Sequence, residues 1–179
     1  MKAAVAWGGL ALVGWYIYQR ASAGNRYAGE GFSMGALLGF VERPQLRYFQ
    51  PAEFGEWWPY MAPDLLTKLD EFRARLGVPV MISPAQGALG RHAGASLSQH
   101  NVDMWGEVRA ADVMPLGVSL ARAYEVARAV GFSGIGLYPD WRPHPGLHLD
   151  VRPGPLALWS GMLDDEGRQV YRGIGEALG

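Results

Sequence analysis

The hydrophobic positions change their period along the chain, and each change predicts an element. Leu65, Leu66, Leu69, Phe72 and Leu76 recur at three- and four-residue steps, the repeat of a helix with one buried face. Pro63 and Asp64 suit its first turn, and Gly77 its end. Val78 to Ile82 (VPVMI) reads as a strand. The polar loop SPAQGALGRHAGASLSQH separates it from a second strand expected over Glu107 to Val113. Ser119 can cap a further helix that places Leu120, Ala123, Tyr124, Ala127 and Val130 on one face. Two more short strands are expected at Gly134 to Tyr138 and Leu147 to Val151. Upstream, RYFQPAEFGEWWPY is dense in aromatics and should pack onto the core. This order of elements predicts an α+β domain with a small, mostly antiparallel sheet and packed helices.

The first residues follow a different pattern. Ala3 to Tyr18 (AAVAWGGLALVGWYIY) carries no charge, with Lys2 before it and Arg20 after it. As a helix it would span about 24 Å, a little short of a bilayer's hydrocarbon core. Lys2 and Arg20 can snorkel to the surfaces, and Trp15, Tyr16 and Tyr18 suit an interface. A transmembrane anchor over residues 1–20 is the expectation. A secretory signal competes with it, because Ala21-Ser22-Ala23 has the small-x-small form of a cleavage site, and a buried core helix is the third reading. Residues 21–45, with the glycine-rich run GNRYAGEGFSMGALLG, would be a spacer, and residues 46–179 one domain of ordinary size.

Composition narrows the chemistry. With 18% charged residues and a net charge of −1, the chain lacks the basic surplus expected of a nucleic-acid binder. It contains no cysteine, so any transition metal must be held by histidine and carboxylate. All four histidines, His92, His100, His144 and His148, fall between positions 92 and 148. In LHLDVR, residues 147–152, apolar and polar positions alternate, which puts His148, Asp150 and Arg152 on one face of a strand. A single such histidine is more often a satisfied structural residue than a ligand. His100 and Asp112 change that balance, because two histidines and one carboxylate form a three-ligand set of the kind catalytic zinc uses.

Four motifs in order are more specific than any one of them. Ser98-Gln99-His100, Ala110-Ala111-Asp112, Gly134-Ile135-Gly136-Leu137-Tyr138 and His148-Leu149-Asp150 together resemble the zinc D,D-peptidase family. That family comprises D-Ala-D-Ala carboxypeptidases, D,D-dipeptidases and phage murein endopeptidases, and shares its fold with the zinc domain of hedgehog proteins. The resemblance covers roughly residues 46–155. It implies a hedgehog/D,D-peptidase-like fold, Zn2+ as cofactor with His100, Asp112 and His148 as ligands, and peptidoglycan peptide as substrate. A virion-associated lytic enzyme, anchored in a bacterial envelope or virion membrane with its domain facing the cell wall and with virion proteins as partners, would suit the short chain and its anchor.

The sequence departs from the family pattern in three places. His100 and Asp112 are twelve positions apart, more than is usual, so DMWGE and its neighbourhood are expected to be an inserted loop. The arginine that often follows the first strand is missing from SPAQGALGR until Arg91, which makes Arg91, with Arg152, the candidate for binding a substrate carboxylate. Pro145 occupies the place of the glutamate that serves several relatives as general base. Asp150, His144 and Asp140 are the candidates to replace it, Asp150 being equally suited to orient a ligand histidine. His92 is expected to be a loop histidine, and Asp103 and Glu107 surface residues of the loop. Two further readings compete with the enzyme: a zinc-binding interaction module without catalysis, and a structural membrane protein of an envelope or virion.

Overall fold

The computed structural model describes residues 43–178. The expected membrane segment at 1–20 and nearly all of the expected spacer at 21–45 lie outside these residues. No helix among the described residues is long and apolar enough to cross a membrane.

Helix α1, Pro63–Leu76, starts with proline at its first position and ends at Gly77, whose positive φ closes the helix through a bond from its amide to the Arg73 carbonyl. The predicted face is the buried one: Leu65, Leu66, Leu69 and Phe72 are inaccessible to solvent. Strand β1 is Val80–Ile82, and a short helix α2 spans Val102–Trp105. Strand β2, Ala110–Pro115, starts later and runs further than the sequence pattern indicates. Helix α3, Leu120–Val130, is capped by the Ser119 hydroxyl, which accepts from the Arg122 amide. Strands β3, Gly134–Tyr138, and β4, Gly146–Asp150, follow as expected.

Two strands were not foreseen: β5, Ala157–Leu163, and β6, Gln169–Arg172. They enlarge the sheet to six strands in the order β1-β2-β4-β3-β5-β6, mixed but still mostly antiparallel as expected. Every neighbouring pair is antiparallel except β3 and β5, which run parallel. Ser160 and Gly161 interrupt the apolar pattern of β5, which is why its period does not show in the sequence.

The two faces of the sheet have different tasks. Ile135, Leu137, Leu147, Leu149, Ala111 and Val113 point to one face, where they form a continuous core with residues of α1 and α3. Burying each large side chain there stabilises the fold by about 1.5–3 kcal/mol. The aromatic stretch before α1 folds as 3-10 helical turns over Pro51–Tyr60, broken at Gly55, and inserts Phe54 beside Phe49 into the same core. The intervening positions, Asp112, Gly136, Tyr138, His148 and Asp150, occupy the opposite face.

Candidate metal centre and its cleft

Strand register builds the site. Asp112 of β2 is paired with His148 of β4, His148 with Gly136 of β3, and Gly136 with Trp159 of β5, so one row crosses four strands on the face away from the helices. Glycines on this face leave room for large neighbours. A Cβ on Gly136 would lie 2.5 Å from the Trp159 indole, on Gly134 2.3 Å from the Asp150 carboxylate, on Gly146 2.6 Å from Trp141, and on Gly161 2.3 Å from the Tyr138 ring. Real Cβ atoms do not approach so closely, which explains the Gly-x-Gly-x-Tyr motif physically: its glycines are the floor on which the site's bulky side chains lie.

His100 comes from the long loop, and that loop is held by many polar contacts. The Arg91 amide donates to the His100 carbonyl at 2.9 Å, and the Val102 amide donates to the Arg91 carbonyl at 3.1 Å. Asn101, fully buried, donates from its amide to the Gly94 and Ser96 carbonyls and accepts from the Ala93 and Asp103 amides. The Trp105 indole donates to the Ser98 carbonyl at 2.9 Å. The expected inserted loop is ordered: α2 ends at Gly106 in a left-handed conformation, and the chain then enters β2 at Ala110. Asp103 faces His92, 2.7 Å away, rather than the site. His92 is exposed and packs near Trp57, as a loop histidine would.

His100, Asp112 and His148 converge. His100 Nε2 lies 3.1 Å from His148 Nδ1, His148 Nδ1 lies 3.0 Å from Asp112 Oδ1, and His100 Nε2 lies 3.4 Å from that oxygen. The outer nitrogens fix the tautomers. His100 Nδ1 donates to the Leu89 carbonyl at 2.5 Å, and His148 Nε2 donates to the Asp150 carboxylate at 2.9 Å. With a cation bound, both inner nitrogens of the neutral rings would present lone pairs beside a carboxylate oxygen. Three acceptors directed at one point suit a cation, and these three residues could hold a metal ion.

The electrostatics agree. Burial pushes the Asp112 carboxyl up, but hydrogen bonds with His100 and His148 outweigh it and hold it at about 2. Burial lowers the His148 imidazolium, yet the hydrogen bonds to Asp112 and Asp150 prevail and raise it. Asp150 is pulled well below the ordinary carboxylate range against its burial, by His148 and by Arg152.

The other expected site residues separate into two groups. Arg91 and Arg152 line the same cleft as the three candidate ligands, a cavity of about 670 Å³. Arg91 donates to the Ser98 hydroxyl, and Arg152 is paired with Asp150 and lies over the Trp159 ring. Asp150 is fully buried behind His148, the position of a ligand-orienting carboxylate. His144 and Asp140, the other candidate bases, do not line the cleft: His144 borders a separate depression with Val118 and Ser119, and Asp140 accepts from the Leu163 amide. The turn after Tyr138 carries them away from the site face. The sequence reading missed Trp141, Trp159, Gln169 and Tyr171 on the cleft wall. Three of these four lie on the unforeseen β5 and β6, so their proximity could not be read before the topology was known.

No curated protein and no solved structure matches the chain. The family model described as Peptidase M15 matches residues 39–147, more than half of the chain. It ends one residue before His148, so the third metal-binding position comes from the β2–β4 register. Since the match takes in the loop bearing His100 and the strand bearing Asp112, and the register completes the zinc-compatible set, the chain belongs to the peptidase M15 family of zinc-dependent metallopeptidases.

Proposed function

We propose that the protein hydrolyses peptide bonds in the stems or cross-links of bacterial peptidoglycan, with zinc held by His100 Nε2, Asp112 and His148 Nδ1. The observation that carries this reading is the convergence of three acceptor atoms, each supported from behind or by charge, at the floor of an open cleft. A zinc ion bound there would polarise a scissile carbonyl as a Lewis acid and lower the pKa of a bound water. The chain's own residues do the rest. The Leu89 carbonyl and Asp150 lock the two imidazoles in the tautomers that expose lone pairs to the centre. Arg152 neutralises Asp150, and Arg91, which bonds a neutral hydroxyl, offers its charge to a carboxylate of the substrate. Murein stems are rich in carboxylates, and Arg91 suits them.

One observation favours a second reading, a zinc-binding module without catalysis: among the described residues that line the cleft, Asp112 is the only carboxylate. Digestion of purified murein by the zinc-loaded full chain, with zinc content measured on the same sample, separates the two. The peptidase reading expects new peptide termini in the digest, identified by mass spectrometry. One zinc per chain with intact murein would establish the module instead. We further propose attachment to an envelope or virion membrane through the uncharged segment Ala3–Tyr18. Cofractionation of the full chain with membranes after alkaline washing is expected, and its release by that wash would contradict it.

A further inference from the structure

We propose that Tyr138 is a catalytic residue, its phenol O–H donating a hydrogen bond to the scissile carbonyl oxygen as that oxygen gains negative charge. The proposal rests on the peptidase reading and adds a group to it.

Tyr138 stands on the site face of β3, two residues beyond Gly136, and lines the cleft with His100, Asp112 and His148. Its position is narrowly fixed. The ring is stacked on Trp141, centroids 4.1 Å apart and 11° from parallel, and its other contact is the space that Gly161 leaves open. The hydroxyl oxygen accepts from the Trp159 indole nitrogen at 2.9 Å, and the Trp159 ring lies 5.2 Å from the His148 ring. One face of the hydroxyl is thus tied to a group that itself borders a candidate ligand. The indole fills an acceptor position and Tyr171 on the cleft wall is the phenol's other hydrogen-bond partner, so the proton that would serve the substrate oxygen is one the phenol exchanges from Tyr171 on binding.

The cleft's arginines are engaged elsewhere. The arginine expected after the first strand is absent, Gln86 lining the cleft in that segment. Arg152 is committed to Asp150, and Arg91 is held at the Ser98 side. Burial pushes the Tyr138 phenol up to about 12, so it keeps its proton at any pH where the peptidase would work. The proton stays on the phenol throughout: no bond to it breaks, and the group acts by charge stabilisation alone. A fixed donor aimed at a developing oxyanion is worth about 100-fold or more in rate.

The test compares Tyr138→Phe with the zinc-loaded full chain on purified murein, together with the binding of a phosphinate dipeptide, whose tetrahedral anion resembles the charged carbonyl carbon. Tyr138→Phe is expected to hold one zinc per chain and melt with the native chain, to lose about 100-fold in kcat with KM little changed, and to bind the phosphinate about 100-fold more weakly. Trp159→Phe, which removes only the indole N–H that positions the hydroxyl, is expected to show a smaller loss in the same two quantities. A Tyr138→Phe enzyme with kcat and phosphinate affinity within threefold of the native chain overturns the proposal. So does a loss confined to KM or to stability, which marks a packing role. If Tyr138→Phe does not fold, Trp159→Phe decides: unchanged kcat and phosphinate affinity overturn the proposal, a parallel loss in both supports it. Failure of the native chain to cleave murein overturns the peptidase reading itself, and the role of Tyr138 with it.

Discussion

In the proposed site His148 carries most of the chemistry, and Asp150 determines how it is presented. The Asp150 carboxylate accepts from His148 Nε2 and is itself held by Arg152, so the ring cannot turn its Nδ1 lone pair away from His100 and Asp112. Replacing Asp150 by Asn keeps the shape and removes the charge. Zinc affinity is expected to fall about 10–100-fold, measured by competition with a chromophoric chelator, and an unchanged affinity would refute the orienting role. The same carboxyl makes the metal-free protein acid-sensitive. Its folded pKa lies below the unfolded value of about 3.9, so its stabilising contribution is complete above that value and is lost as pH falls below it. Thermal melts of the metal-free chain are therefore expected to drop steeply below about pH 4 and to be flatter in Asp150→Asn; parallel curves would contradict this.

At the scale of elements, the sheet's site face alternates glycine with large side chains, and the glycines are as necessary as the ligands. Gly136→Ala would place a methyl 2.5 Å from the Trp159 indole, directly beside His148 in the row. The expected cost is about 1–3 kcal/mol in urea unfolding, with a shift in tryptophan fluorescence as Trp159 is displaced; an unaltered midpoint would show that the indole can move freely. How much of this was legible in the sequence varied with the kind of signal. Helices α1 and α3 showed in their apolar period and caps, and the alternation in LHLDVR placed His148 and Asp150 on one face. Strand β5 was hidden because Ser160 and Gly161 break its pattern, and with it went the cleft wall of Trp159, Gln169 and Tyr171. The three candidate bases had to be weighed without geometry: Asp140 and His144 are near His148 in sequence, but the turn joining β3 to β4 directs them elsewhere.

The described residues form a two-sided sheet: helices cover one face, and among these residues the other bears a cleft. One face consists of leucine, isoleucine and valine packed on α1 and α3, and gives the rigidity that holds three side chains from β2, β4 and a long loop to within 3.4 Å of one another. The other bears a cleft whose walls come from both ends of the domain, the loop at 86–100 and the β5–β6 hairpin. Membership of the peptidase M15 family fixes the class of reaction, and arginines and aromatics line the cleft proposed to take its substrate. The most direct test is to titrate the metal-free full chain with zinc while following the release of stem-peptide fragments from purified murein. Release is expected to rise with added zinc, to level off at one zinc per chain, and to be absent from His148→Ala at every zinc concentration. Full release without zinc, or from His148→Ala, would contradict it.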